Sequence, residues 1–236
     1  MISHRQEYLF MTKKLTNKEE LELSPDEINP PGGKLYLFVK RAFDIFVSFT
    51  FLLLFGWFIL ILLLIKTCED GHRPIYTSIR VGLNGKPIKV HKIRSMKPHA
   101  EDMKQELIEE GKNEADGPVF KIKDDPRVTK FGKFLRKTSL DELPQFWDVL
   151  LGRLSIVGPR PPLKEEVEQY NTYQRNRLKV KGGLVCLWQI TTNRHQMSFD
   201  EWVDLDIKYI KTRSIRTDLK ILFKAVIFVL TDHTGE

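Results

Sequence analysis

The chain has 236 residues, of which 42% are hydrophobic and 29% charged, an ordinary composition for a folded protein that excludes a largely disordered chain. Its formal net charge of +7 indicates an anionic partner, such as nucleic acid, anionic lipid or a phosphorylated substrate. The two cysteines, Cys68 and Cys186, lack metal-site spacing, which favours a reducing compartment and argues against a disulfide scaffold.

The N-terminal part of the chain predicts an extension followed by a membrane helix. Residues 1–33 are polar and charged and end in a proline and glycine cluster, which predicts a flexible extension. Residues 34–66 follow, and the stretch 45–65 within them carries no charged side chain. At about 1.5 Å per residue, this stretch can span a hydrocarbon core of roughly 30 Å. We therefore predict a membrane-inserted helix over 34–66 and a separate domain over 67–236.

Basic residues flank both ends of the apolar stretch, with Lys40 and Arg41 before it and Lys66 after it. Lysine and arginine beside a membrane segment favour the cytoplasmic side, so both flanks compete for the same side. A re-entrant helix that bends near Gly56 and returns to the same leaflet would satisfy both flanks. A single crossing with a short tail outside is the alternative that the charges leave open.

The domain over 67–236 is predicted to mix helices and strands. Residues 80–94 predict a hairpin, since Asn84-Gly85 is typical of a two-residue turn and IKVHKI alternates as a strand does. The acidic segment 101–115 predicts a surface helix. Three further helices are predicted over 163–180, from Ser198 with a Ser198/Glu201 capping box, and over 218–230. The last is apolar nearly all round, so it is either buried or lies on the membrane.

Two adjacent carboxylates, Asp141 and Glu142, are the clearest candidates for chemistry. Ser139 and Glu142 have the spacing of a capping box, and Pro144 is tolerated only in a first helical turn, so we predict that a helix starts close to Asp141. The positive end of a helix dipole favours ionised carboxylates, which can bind Mg²⁺ or attack phosphorus. The alternative is that Glu142 only caps the helix and Asp141 only complements its dipole.

The chain also carries basic residues in turn-like settings: Arg80, Lys92, Arg94, Arg136, Lys137, Arg160 and Arg194. A diphosphate in a charged transition state needs several fixed positive groups, and guanidinium suits paired oxygens. Arg160 stands out because the flanking prolines of GPRP restrict the chain there. Asp206, in the helix from Ser198, is a candidate second carboxylate. The alternative for the basic residues is a solvated face or a contact with anionic lipid.

Around these residues the sequence closely resembles the bacterial sugar transferase family, the monotopic phosphoglycosyl transferases. The matching segments are KRAFDIFVS, RVGLNGKPIKVHKIRSM, DDPRVTKFGKFLRKTSLDELPQFWDVLLGRLSIVGPRP, KGGLVCLWQI and LDIKYI…RTDLKIL, within residues 38–230. The combination of DELPQ and GPRP at this separation is highly specific. The family usually breaks its membrane helix with Ser-Pro, where this chain has Phe55-Gly56, and it commonly has Pro-Gly where this chain has Gly182-Gly183.

The resemblance implies a role for each matching residue. The catalytic Asp-Glu dyad of the family falls on Asp141, as the covalent nucleophile, and on Glu142. Mg²⁺ would be bound by Asp141 and Asp206. The expected substrate-binding residues are Lys92 and Arg94 of the K-[FI]-R-[ST]-M motif, Arg160 of GPRP, Arg194 after WQ, and Arg136 from the basic set.

The resemblance also implies an activity. The chain would transfer a sugar 1-phosphate from a UDP-sugar to undecaprenyl phosphate, with Mg²⁺ and release of UMP, as the first membrane step of exopolysaccharide, capsule or glycan synthesis. The implied fold is α+β, a membrane-anchored monotopic core with a re-entrant helix and interfacial amphipathic helices. The expected partners are the UDP-sugar, undecaprenyl phosphate and membrane lipid, without nucleic acid, and a homo-oligomer is compatible with the sequence. The domain over 67–236 would be catalytic and would face the cytoplasm from the bacterial inner membrane.

A membrane-tethered scaffold or phosphate-binding protein without enzymatic activity is the rival hypothesis. The acidic segment 101–115 and the lack of a recognised nucleic-acid module argue against nucleic-acid binding. Replacing Asp141 with Asn separates the two hypotheses, since a scaffold would keep its function and an enzyme would not.

Overall fold

The computed structural model of the chain describes residues 28–122, 124–191, 194 and 196–231, and it mixes helices and strands. The predicted extension therefore lies outside the described residues as far as residue 27. The helices are α1 (Lys34–Asp70), α2 (Asp102–Glu109), α3 (Lys130–Lys137), α4 (Gln145–Leu150), α5 (Lys164–Glu168), α6 (Thr172–Arg175), α7 (Phe199–Thr212) and α8 (Ile215–Thr231). The strands are β1 (Ile75–Val81), β2 (Pro87–Ile93), β3 (Ser155–Val157) and β4 (Gly183–Val185). Short 3₁₀ turns cover Leu83–Gly85, Leu140–Glu142, Asn176–Lys179 and Trp188–Ile190.

Helix α1 contains the apolar stretch and continues past it to Asp70, where Gly71 ends the helix with a φ of 66°. Within the described part of the chain, it is the one helix long and apolar enough to cross a membrane. The helix is uninterrupted through Gly56, so no break in the backbone hydrogen bonding marks the predicted bend. The re-entrant course therefore stays a prediction.

The rest of the fold contacts α1 on both sides of the apolar stretch. Before it, Arg41 donates hydrogen bonds to the carbonyl oxygens of Val149, at 2.6 Å, and Leu150, at 2.7 Å. These carbonyls belong to the last turn of α4, where orphan acceptors attract a basic side chain. After the stretch, Asp70 pairs with Arg94, which follows β2 directly. Both ends of the apolar stretch are thus fixed to one folded domain.

Two small sheets organise the domain. Strands β1 and β2 form the predicted antiparallel hairpin, with Val81 opposite Pro87. The predicted two-residue turn is wrong, because residues 82–86 connect the strands through a 3₁₀ turn. Asn84 and Gly85 nevertheless supply the positive φ angles, 55° and 75°, that such residues tolerate. Strands β3 and β4 pair in parallel, with Ser155 opposite Gly183.

The core lies between these sheets and helices α7 and α8. Its most buried members include Leu154 and Ile156 around β3 and Val203, Ile207 and Ile210 on α7. A second cluster joins three elements that carry or flank the candidate site: Leu62 of α1, Ile93 of β2 and Leu135 of α3. Apolar burial of this kind supplies most of the stabilisation of a fold. The second cluster therefore ties the apolar helix to the neighbourhood of the site.

Of the surface helix and the three further helices predicted in the domain, one is wrong and the others are confirmed. The single helix over 163–180 is wrong, because α5, α6 and a 3₁₀ turn occupy that segment. Asn171 starts a new helix inside it, since its side chain accepts from the backbone N–H of Gln174 at 2.9 Å. The capping box of Ser198 and Glu201 is confirmed at the start of α7. Helices α2 and α8 confirm the helices predicted in the acidic segment and near the C-terminus.

Candidate active site

The acid pair lies in a 3₁₀ turn between α3 and α4, and not in the first turn of an α-helix. The capping box predicted for Ser139 is wrong, because Ser139 has a φ of 55° and its side chain makes no cap hydrogen bond. Helix α4 begins only at Gln145, with Pro144 at the capping position. The physical reason is the hairpin: the carboxylate of Glu142 accepts a hydrogen bond from Lys92 at 2.5 Å and does not fold back on Ser139.

Asp141 is buried beside Lys92 of β2. The side-chain nitrogen of Lys92 lies 3.9 Å from Oδ2 of Asp141 and 2.5 Å from Oε1 of Glu142. The ammonium group of Lys92 therefore lies beside both carboxylates of the 3₁₀ turn. The structure thus brings together three of the residues predicted for the site.

Burial raises the pKa of Asp141 to about 6. The charge of Lys92 opposes this shift, the charge of Glu142 adds to it, and Arg136 opposes it more weakly. Asp141 is therefore ionised at neutral pH, yet its charge is poorly solvated. A carboxylate in that state is a stronger nucleophile and ligand than a hydrated one.

Arg136, at the end of α3, also lies near the acid pair, since its charge acts on Asp141. Its Nε donates a hydrogen bond to Oγ of Ser95 at 2.9 Å. Helix α3 approaches this segment closely because Gly132 has no side chain: a Cβ there would lie 1.9 Å from the carbonyl oxygen of Ser95. The glycine thus allows α3 to pack close enough to place Arg136 near the acid pair.

Arg94 was predicted to bind substrate, and the structure shows a different contact. Its guanidinium pairs with Asp70 at the end of α1, and Lys66, which is fully buried, pairs with the same carboxylate at 3.0 Å. No hydrogen bond or ion pair joins Arg94 to Asp141 or Glu142. Arg94 therefore holds the end of α1, and a contact between Arg94 and substrate stays a prediction.

Arg160 lies in the turn that leaves β3, and this turn packs against β4. Gly183 donates from its N–H to the carbonyl oxygen of Pro159 at 2.9 Å. A Cβ on Gly183 would lie 2.1 Å from the backbone nitrogen of Gly158, so only glycine fits this approach. The guanidinium of Arg160 is half-buried and, in the part of the chain that the structure covers, makes neither a hydrogen bond nor an ion pair. The close packing therefore fixes the backbone of the turn that carries Arg160.

Asp206 belongs to a different cluster from Asp141. Its Oδ2 accepts from Nε and Nη2 of Arg177, at 2.8 Å and 2.7 Å, while its Oδ1 is buried without a hydrogen-bond partner. Burial raises the pKa of Asp206 to about 6, against the opposing charges of Arg177 and Arg160. No contact joins Asp206 to Asp141, and no group of three or more His, Cys, Asp or Glu side chains in the described ranges is arranged for a metal. A metal shared by the two aspartates stays a prediction.

Arg194 lies apart from the acid pair, beside α8. Its guanidinium carbon stacks over the ring of Phe228, 4.6 Å from the centroid, and its Nη1 donates to the carbonyl oxygen of Gln189 at 3.3 Å. Binding of substrate by Arg194 therefore stays a prediction.

Sequence reasoning missed two buried groups that are paired near the site. Arg177 is buried between Asp206 and the hydroxyl of Tyr170, to which it donates at 2.7 Å. Asp148 is fully buried and accepts from both the backbone N–H and the ring Nδ1 of His91, at 2.8 Å and 2.7 Å, which fastens α4 to β2. Asp148 lies within a segment that matches the family and Arg177 lies outside the matching segments, but neither has a spacing that distinguishes it from a surface charge.

Comparison with known proteins finds a family profile and individual relatives that the chain is similar to. The sequence profile of the family described as bacterial sugar transferase matches residues 35–232. The chain is 44% identical to galactosyl transferase CpsE of Streptococcus agalactiae over 195 residues, which are 83% of this chain and 43% of that protein. It is 40% identical to undecaprenyl-phosphate galactose phosphotransferase of Salmonella typhimurium over 201 residues, 82% of this chain and 40% of that protein.

A shorter relative is similar along most of its length. Exopolysaccharide production protein ExoY of Rhizobium meliloti is 35% identical over 201 residues, which are 84% of this chain and 87% of that protein. By contrast, the chain spans less than half the length of the two relatives above.

Proposed function

Because the chain belongs to the bacterial sugar transferase family, we propose that it transfers a sugar 1-phosphate from a UDP-sugar to undecaprenyl phosphate and releases UMP. The relative from Salmonella is named for the phosphotransfer of galactose to undecaprenyl phosphate, and ExoY is named for exopolysaccharide production. The step would begin the assembly of an exopolysaccharide, capsule or other glycan. The observation that carries the proposal is the buried carboxylate of Asp141, ionised at neutral pH beside Lys92 and Glu142.

The proposed reaction has two steps. A carboxylate oxygen of Asp141 attacks the β-phosphorus of the UDP-sugar, the bond from that phosphorus to the bridging oxygen breaks, and UMP leaves with the electron pair. An oxygen of undecaprenyl phosphate then attacks the same phosphorus and expels Asp141, which is restored as a carboxylate. A direct in-line transfer between the two substrates would use the same residues and is the alternative.

The surrounding basic residues would stabilise the negative charges of Asp141 and of the diphosphate. Lys92 holds Glu142 at 2.5 Å and keeps a positive charge close to Asp141, so the attacking carboxylate stays ionised. Arg136 and Arg160 supply guanidinium groups, which suit paired phosphate oxygens. When bound, Mg²⁺ would neutralise the diphosphate. Asp141 and Glu142 fit such an ion, since Mg²⁺ is commonly held by one or two carboxylates together with substrate phosphates, whereas Asp206 is already paired with Arg177.

The activity is tested by incubating the purified protein with undecaprenyl phosphate, Mg²⁺ and a panel of UDP-sugars, and measuring UMP release. We expect Asp141→Asn to lower the rate by at least about a thousandfold, since a nucleophile is removed. Asp124→Asn is the matched control, because the side chain of Asp124 is 86% exposed. If Asp141→Asn retained activity within about tenfold of the wild type, Asp141 would not be the nucleophile.

We also propose that α1 enters and leaves the membrane by the same leaflet, with the catalytic domain in the cytoplasm. Two observations support this course. The domain holds α1 through Arg41 before the apolar stretch and through Arg94 after it. A straight crossing of roughly 30 Å would carry one of these contacts across the hydrocarbon core.

Exposed apolar side chains on other elements support an interfacial position. On α8, Ile221 and Ala225 face the core, while Leu219, Phe223 and Val226 are exposed. Large exposed apolar groups also occur at the other elements near α1: Phe134 on α3, Trp147 on α4 and Leu151 after it. Apolar surface of this extent is typical of a contact with lipid or with another protein. We assign it to lipid, since α1 carries the same kind of surface.

A further inference from the structure

We propose that Arg80 binds the diphosphate of the nucleotide sugar beside Arg160, as a second guanidinium of the site; this inference rests on the proposed function. Arg80 lies near the end of β1 and is half-buried. Its Nη1 donates a hydrogen bond to the carbonyl oxygen of Pro161 at 3.3 Å, and its Nε donates to Oγ of Ser78 at 3.1 Å. These bonds hold its guanidinium against the turn that carries Arg160.

The hairpin places Arg80 on the same face as Lys92. Lys92 lies opposite Tyr76 in the antiparallel register, and Tyr76 and Arg80 are four residues apart on β1. Side chains at that spacing share one face of a strand, roughly 13 Å apart along it. One face of the hairpin therefore reaches the acid pair through Lys92 and the proline-flanked turn through Arg80. A diphosphate bound next to Asp141 would lie between them.

The negative charges of Glu166 and Glu142 act on Arg80 through space, without forming an ion pair with it in the described part of the chain. Arg177 is neutralised by Asp206, but neither Arg80 nor Arg160 forms an ion pair with any residue that the structure describes. The two neighbouring carboxylates have other partners: Glu166 accepts from the N–H of Leu163 at 3.0 Å, and Glu142 accepts from Lys92.

The electrostatics agree with this geometry. Burial, and after it the nearby charge of Arg160, lower the pKa of Arg80 to about 10, so Arg80 is still charged at neutral pH. Two like charges held close together repel each other, and an anion bound between them removes that repulsion. A diphosphate offers oxygens on two phosphorus atoms, which suits two guanidinium groups better than one.

The test measures binding of inorganic pyrophosphate to the purified full chain by isothermal titration calorimetry, with Mg²⁺ in the buffer. We expect Arg80→Gln to raise the Kd at least tenfold and to leave the thermal midpoint within a few degrees of the wild type. The Kd of Arg80→Lys should lie between those of the wild type and Arg80→Gln, since lysine keeps the charge and loses the planar fork. Arg73→Gln is the matched control, because Arg73 is exposed, and its Kd should be unchanged.

A folded Arg80→Gln protein with a Kd within twofold of the wild type would overturn the inference and leave Arg80 with a structural role. If Arg80→Gln does not fold, Arg80→Lys decides: a threefold or larger rise in Kd supports the inference, and a smaller one overturns it. Because the readout is binding, it is independent of turnover. If the wild type releases no UMP but Arg80→Gln still weakens pyrophosphate binding, the proposed function is contradicted and the anion site at Arg80 is still supported.

Discussion

Asp141 occupies an environment in which burial and the charges of Lys92, Glu142 and, more weakly, Arg136 act on one carboxylate. Burial disfavours its ionised form, Glu142 does the same, and Lys92 opposes both. Each neighbour can be removed separately, because Lys92 comes from β2 and Glu142 from the turn. Single substitutions should therefore move the pKa of Asp141 in opposite directions.

The activity should depend on pH in a way that reports this balance. Asp141 must be ionised to attack phosphorus, so kcat/KM should fall as the pH drops below about 6. Glu142→Gln removes a negative neighbour and should shift this fall to lower pH. Lys92→Met removes a positive neighbour and should shift it to higher pH, in each case by roughly one unit. The measurement is UMP release as a function of pH for the two variants and the wild type.

Shifts in the same direction, or a fall in kcat/KM unrelated to pH 6 in the wild type, would contradict the assignment. Asp124→Asn again serves as the control, since an exposed carboxylate should leave the profile in place.

At the scale of elements, two positions with the same capping pattern behave differently. Ser198 accepts from the N–H of Glu201 at 3.2 Å, and Glu201 accepts from the N–H of Ser198 at 2.7 Å. Ser139 makes no such bond, because Glu142 is held by Lys92 and the backbone at Ser139 is left-handed. A local pattern is realised only where no long-range partner competes for its side chains.

This contrast predicts unequal effects on stability. Ser198→Ala should lower the free energy of unfolding by about 1 kcal/mol, since it leaves an N–H of α7 without its cap. Ser139→Ala should change it by less than about 0.5 kcal/mol, because no cap is lost. Denaturant unfolding of the two purified variants in the same detergent measures both. An equal loss in the two variants would show that Ser139 caps a helix after all.

For the whole molecule, the proposed position of the domain relative to the membrane rests on α1. The contacts between α1 and the domain lie on both sides of the apolar stretch. Large apolar side chains are exposed on both α1 and α8. Basic residues on both flanks favour the cytoplasmic side of the membrane. Both ends of the chain are then expected inside the cell.

Single cysteines test this arrangement. In a background with Cys68→Ser and Cys186→Ala, cysteines introduced as Ser3→Cys and Thr234→Cys should both resist a membrane-impermeant thiol reagent in intact cells. Both should react after the cells are permeabilised, which controls for accessibility. Labelling of position 3 alone in intact cells would mean that the helix crosses the membrane and that the re-entrant course is wrong.

Features that depend on neighbours in the chain were predictable. The hairpin, the cap of α7 and the apolar helix each follow from residues a few positions apart, whose backbone preferences and periodicity act locally. The match to family motifs then assigned roles to Asp141, Glu142, Lys92 and Arg160, and also to Arg94, Arg194 and Asp206. Of these, the structure places Asp141, Glu142 and Lys92 in direct contact.

Pairings across long stretches of sequence were decided by the tertiary structure alone. Arg177 meets Asp206, Asp148 meets His91, and Arg94 meets Asp70 rather than the acid pair. Each pair forms because burial makes an unpartnered charge costly, so the fold selects whichever opposite charge packing brings near. Packing of that kind depends on the whole arrangement of elements and leaves no periodic or local trace in the sequence.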